Sequence, residues 1–116
     1  VAVNKPITIS YATPASDDAV SFNTIWVITL NGVSPTGSPV EAYLSISQNH
    51  RRKLLLSLEN GLTWNDTDKS VHVLIRNGQL SFIRDDSEMG YEFWIVWDNT
   101  NLQRIAYGTV TAVRVD

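Results

Sequence analysis

The sequence predicts an all-β protein, and three observations carry that expectation. Apolar residues recur with a period of two over several short runs, β-branched residues concentrate in those runs, and turn-forming residues separate them at short intervals. The stretch from Gly90 to Val115 shows all three. Two apolar-rich runs, Tyr91 to Trp97 and Arg104 to Val115, flank Asp98-Asn99-Thr100-Asn101, whose side chains readily bond their own backbone and favour a turn. The first run divides into Tyr91, Phe93, Ile95 and Trp97 on one face and Glu92, Trp94, Val96 and Asp98 on the other. An isolated hairpin is marginal in water, so its apolar face needs a partner sheet.

The remaining elements supply that partner. After a short arm, Val1 to Lys5, the run Ile7 to Tyr11 follows Pro6, which suits a strand start or an edge. Ala12 to Ala19 has loop composition. Val20 to Leu30 reads as a strand, and its continuous centre Ile25-Trp26-Val27-Ile28 predicts burial on both faces. Asn31-Gly32 and the Pro-rich segment to Pro39 read as a loop. From Val40 the alternation places Val40, Ala42, Leu44 and Ile46 inward and Glu41, Tyr43, Ser45 and Ser47 outward. Gln48 to Lys53 reads as a polar, basic turn, Leu54 to Leu58 as a short strand, and Leu62 with Trp64 as a brief one after the Asn60-Gly61 turn. Ser70 to Arg76 alternates as a half-buried strand closed by Asn77-Gly78. Gln79 to Met89 has no strong period and is read as a short helical turn with Leu80, Phe82 and Ile83 inward. About seven or eight strands with frequent turns and at most one short helical turn predict an antiparallel, immunoglobulin-like β-sandwich.

Length and composition bound the rest. The 116 residues are expected to form one domain, 1–116, large enough to bury a single core. With 43% hydrophobic and 18% charged residues the chain is globular, and its formal charge of −3 supplies no field that would draw it to nucleic acid or an anionic membrane. Zero cysteines exclude a disulfide scaffold and thiolate metal sites. The opening VAVNKPITIS lacks a basic region followed by an apolar core, so no export signal is expected in this chain, and no apolar run approaches the roughly 18 residues of a membrane span.

The order of elements resembles a known family. Leu54 to Leu58 and a turn, Leu62-Thr63-Trp64, Val71 to Ile75, a polar excursion, Gly90-Tyr91-Glu92-Phe93-Trp94 and finally Gly108-Thr109-Val110-Thr111-Ala112-Val113 are similar to small β-sandwich domains of tailed bacteriophages. The likeness is to the N-terminal domain of baseplate upper proteins and related tail-fibre components. In that family a Gly-x-Tyr opens the penultimate strand and the last strand ends in Gly-x-Val-x-Val. Here Gly90 and Tyr91 lack the intervening residue, and Ala112-Val113 is shifted by one step. The resemblance implies a virion structural protein, a rigid adaptor packed against copies of itself or neighbouring virion proteins, without catalysis.

Chemistry-bearing residues offer little else. His50 and His72 lie in different elements without nearby carboxylate or histidine company, so both read as surface or interface residues. Asp66 and Asp68 have the spacing that gathers oxygens on one side of a loop, yet the glycine and terminal glutamate of a calcium loop are missing, and Asx turns account for this stretch and for Asp85-Asp86-Ser87-Glu88. Asn65-Asp66-Thr67 also matches the glycosylation sequon, expected to be idle without export. No nucleophile set or phosphate cradle can be assembled, so neither an enzyme nor a cofactor is expected.

Contact residues are the better candidates. His50-Arg51-Arg52-Lys53 is the only concentrated basic run. Nucleic-acid binding would want several such patches interleaved with aromatics, so Arg51 and Arg52 read as protein contacts or a solvated loop. Trp94 and Trp97 point to opposite faces of one strand, so one leaves the core; Trp94, with Tyr43 on the polar face of its own strand, is the candidate interface anchor. The expected partners are virion proteins and further copies of the chain, with no nucleic acid, membrane or small-molecule ligand, and the expected location is the virion. The alternatives are a capsid decoration protein of the same fold and a carbohydrate-binding module that stacks sugars on Trp94 and Tyr43.

Overall fold

The computed structural model describes residues 2–11, 19–29, 32–35, 37–80, 88–97 and 101–114. Among the described residues, nine strands and one 3-10 turn make it all-β. They are β1 (Val3–Asn4), β2 (Ile7–Tyr11), β3 (Val20–Val27), β4 (Pro39–Gln48), β5 (Arg51–Leu58), β6 (Gly61–Asn65), β7 (Ser70–Arg76), the turn Asn77–Leu80, β8 (Met89–Trp97) and β9 (Asn101–Arg114).

One hydrogen-bonded ladder runs β1-β9-β8-β4-β5-β6-β7-β3, and β2 continues the line of β1 along β9. Most pairings are antiparallel, but β1 and β2 run parallel to β9, and β6 bridges β5 in parallel, which departs from the purely antiparallel expectation. The β5/β6 bridge is local. Ser57 N–H bonds Asn60 C=O and Asn60 N–H bonds Ser57 C=O, with Glu59 and Gly61 at positive φ, so the chain turns a corner there. At Gly61 (φ +95) a Cβ would also meet Leu56 Cδ2 at 2.7 Å.

Beyond that corner the ladder folds back over itself into a curled sheet. Trp26 of β3 stacks on Tyr91 and tilts against Phe93 of β8, with centroids 6.0 and 5.5 Å away, although four other strands separate β3 from β8 in the ladder. Trp64 of β6 meets Trp97 of β8 edge-on at 6.1 Å. Between the two halves lie the inward residues expected from alternation, including Ala42, Leu44, Ile46, Val71, Val73, Ile75, Phe93 and Ile95, all fully buried. Trp97 is 7% exposed, and its Nε1 has no hydrogen-bond partner among the described residues.

Several expectations are corrected. β3 is not buried on both faces: Trp26 and Ile28 point inward, whereas Ile25 and Val27 are 64% and 68% exposed, because β3 ends the ladder and only its inner face is covered. Val40 is 55% exposed because it is the extra residue of a β-bulge between the pairs Pro39/Trp97 and Glu41/Val96, which turns it out of line with Ala42. Glu41 Oε1 accepts the backbone N–H groups of Ala42 and Leu58 beside that bulge. The basic segment is mostly strand: the turn is Asn49-His50, both at positive φ, and Arg51 to Lys53 already belong to β5. In the arm, Val3 and Asn4 pair with Ala106 and Tyr107. Leu80 is buried as expected, while Phe82, Ile83 and the turn at 98–100 lie outside the described residues.

Candidate functional site

The outward face of β4, β8 and β9 brings the two aromatic candidates together. Tyr43 lies directly opposite Trp94 in the β4/β8 ladder, and Trp94 lies opposite Arg104 in the β8/β9 ladder. Directly opposed residues stand about 4.5–5.5 Å apart at Cβ, so Tyr43 and Trp94 are side-by-side neighbours, each half-buried. In the adjoining row Ser45, Glu92 and Tyr107 are opposite one another. Arg104 ties the two rows. Its Nη1 donates to Glu92 Oε2 at 3.0 Å, and its guanidinium carbon sits 4.6 Å from the centre of the Tyr107 ring. Both partners of the ion pair are substantially exposed, so it orients the side chains more than it stabilises the fold.

Small residues beside this cluster leave a shallow groove of about 450 Å³, lined by Ser45, Ser47, Gly90, Glu92, Tyr107 and Thr109 among others. Arg52 pairs with Ser47, placing it on the same face, four residues along β4 from Tyr43, or about 13 Å. Arg51 pairs with the inward Gln48 and so belongs to the opposite face. Tyr43, Trp94 and Arg52 therefore share a surface that Arg51 does not.

Sequence reasoning missed Arg104 and Tyr107. They are three apart, so strict alternation separates them; the bulge at Ile105, between the pairs Phe93/Ala106 and Trp94/Arg104, puts them on one face.

The acidic turn after β6 is a clamp. Asn65 Oδ1 accepts the backbone N–H groups of Thr67 and Asp68, which is an Asx turn. Asp66 Oδ1 accepts hydrogen bonds from Lys69 Nζ at 2.8 Å, from Ser38 Oγ and from Trp64 Nε1 at 3.2 Å. The Lys69 ammonium first, then the Ser38 hydroxyl and the Trp64 indole, hold the Asp66 carboxyl well below the usual carboxylate range. His50 is exposed at the β4/β5 turn, and His72, outward on β7, hydrogen-bonds Asn23 of β3 through Nε2. Among the described residues no group of three His, Asp or Glu side chains is placed to hold a metal ion, and no helix is long and apolar enough to cross a membrane. Asp85 and Asp86 lie outside the described residues.

Comparison with protein families, with curated proteins and with solved structures finds no match to this chain.

Proposed function

We propose that the chain is a non-enzymatic structural protein that assembles with copies of itself and with neighbouring proteins, and that its setting is a bacteriophage virion, as a baseplate or tail-fibre adaptor. The observation that carries the assembly reading is the outward cluster of Tyr43, Trp94, Arg104 and Tyr107. Aromatic and arginine side chains held in fixed cross-strand positions are the residue types that anchor protein interfaces. The virion setting rests on the family resemblance in the order of strands. In the same reading the folded-over ladder is a variant of the immunoglobulin-like sandwich, with the β5/β6 corner joining its two facing halves.

The test is quantitative mass spectrometry of gradient-purified phage particles that carry the gene. The expected result is the chain in a fixed ratio to the other structural proteins, reduced at least several-fold by Trp94→Ala. A chain made in infected cells and missing from the particles overturns the virion reading. A particle map by electron microscopy separates a tail position from capsid decoration. The groove beside Tyr107 and the Glu92/Arg104 pair favours one second reading, a carbohydrate-binding face, since an aromatic platform with adjacent charged hydrogen-bonding groups suits a sugar ring. A glycan array probed with the parent protein and Trp94→Ala decides it, and no binding by the parent rejects it.

A further inference from the structure

We propose that the seam where the two ends of the ladder meet binds a small carboxylate, the size of a single ring or a short branched chain, with its apolar body against Trp26 and its carboxyl at Lys5. The site goes beyond the assembly reading. It uses a different part of the molecule from the Tyr43/Trp94 cluster, with Arg104 at the border of both.

The seam has two halves. In one, β2 packs against β3. In the other, β1 reaches β9 only at Ala106 and Tyr107, so Gln103 to Ile105 of β9 have no strand on that side among the described residues. Between them and the end of β3 lies a cleft of about 120 Å³. Its lining includes the buried apolar side chains of Trp26, Ile28 and Ala106, with Lys5, Thr29 and Gln103 as polar members. An apolar cavity of about 150 Å³ holds benzene, which sets the scale of a fitting body. Drug-sized ligands occupy about 300–1,000 Å³, so a nucleotide or an oligosaccharide does not fit.

The charges at the cleft are of one sign. Lys5 and Arg104 line it, and no Asp or Glu does among the described residues. Arg104 is engaged by Glu92 and Tyr107, whereas Lys5 has no carboxylate partner among the described residues. Its ammonium sits 5.3 Å from the centre of the Trp26 ring, which holds the cation at the apolar wall without neutralising it. A carboxylate at this point gains a charge-assisted hydrogen bond, and the Thr29 hydroxyl and Gln103 amide supply further donors. A neutral ring forgoes that bond, and a cationic one meets like charge. The cleft therefore ranks carboxylate over alcohol over amine.

The test is a titration of the full chain, labelled with nitrogen-15, with sodium benzoate, benzyl alcohol and benzylammonium chloride at matched ionic strength. Benzoate is expected to shift the backbone amides of residues 26–29 and 103–106 saturably, with a Kd on the order of 1 mM. Benzyl alcohol is expected to shift the same amides with about fivefold lower affinity, and benzylammonium to bind weakest. Lys5→Gln should bring benzoate down to the affinity of benzyl alcohol and leave benzyl alcohol unchanged. Lys5→Arg should keep the preference, and Lys53→Gln, which removes another exposed cation, should change nothing. The ranking of the three probes on the parent chain decides the question even if a variant fails to fold. Amides that stay still in benzoate well above that Kd, equal affinity for benzoate and benzyl alcohol, or saturable shifts on the Tyr43/Trp94 face instead each overturn the proposal. None of these outcomes bears on assembly or on presence in particles, which are read separately.

Discussion

The two ends of the ladder solve the same problem in opposite ways. At one end the edge strand is split. Lys5 N–H bonds Tyr107 C=O, the Tyr91 hydroxyl donates to Lys5 C=O, and the backbone crosses so close to β9 that only glycine fits at position 108. At the other end β3 is a longer strand with uncharged outward residues, laddered to β7 and packed through Trp26 against Tyr91 and Phe93, with the Lys5 ammonium 5.3 Å from the Trp26 ring. The first edge is secured by backbone anchoring and a break, the second by aromatic packing on one face.

Four substitutions break or sharpen that contrast. Trp26→Ala removes the hold on β3 and is expected to cost about 3–5 kcal/mol in denaturant unfolding, the range for a large buried aromatic. Gly108→Ala acts at the other end, where the new Cβ would meet the Lys5 carbonyl carbon and oxygen at 2.9 Å; about 1–3 kcal/mol is expected. Hydrogen exchange should quicken in residues 3–11 and stay unchanged in β3, and equal quickening at both ends would remove the contrast.

Tyr91→Phe deletes the anchor to Lys5 C=O and is expected to cost about 1 kcal/mol at neutral pH. Burial pushes the Tyr91 hydroxyl up from 10 to about 12. The unfolded chain thus gives up this proton near pH 10 while the folded chain keeps it to about 12. The contribution is complete below pH 10 and is lost between pH 10 and 12, a slope that thermal melts should show for the parent and not for Tyr91→Phe. The smallest effect is expected from Asp66→Asn. A carboxyl held below its ordinary 3.8 stabilises the fold above that pH and loses its contribution as the pH falls below it, so the variant should flatten the acid limb of the melting profile. Because Ile28 N–H bonds Lys69 C=O, that clamp borders the end of β3.

Much of this architecture was legible in the residues. Ser70 to Arg76 is β7 to the residue, and the inward set Tyr91, Phe93, Ile95 and Trp97 is buried as alternation requires. Trp94 and Tyr43 could be placed on outward faces, but their side-by-side position depends on β4 pairing with β8, a long-range choice that no local pattern encodes. The bulges at Val40, Lys53 and Ile105 change which face a residue occupies without any marker residue, and so Val40 turned out and Arg104 joined Tyr107. The run Ile25 to Ile28 misled because an apolar run is compatible with two covered faces and equally with one covered face and one exposed face.

The placement of β9 has a kinetic consequence. It lies between β8 and both of the earliest strands, with Val3 opposite Ala106, so more than a hundred residues must be gathered before the first edge can be sealed. Loops of that size close late, and sheets rich in such distant pairings fold on the order of milliseconds to seconds. Until β9 docks, residues 3–11 have no ladder to join, so newly made chains at high density run the greatest risk of gluing together before they are finished.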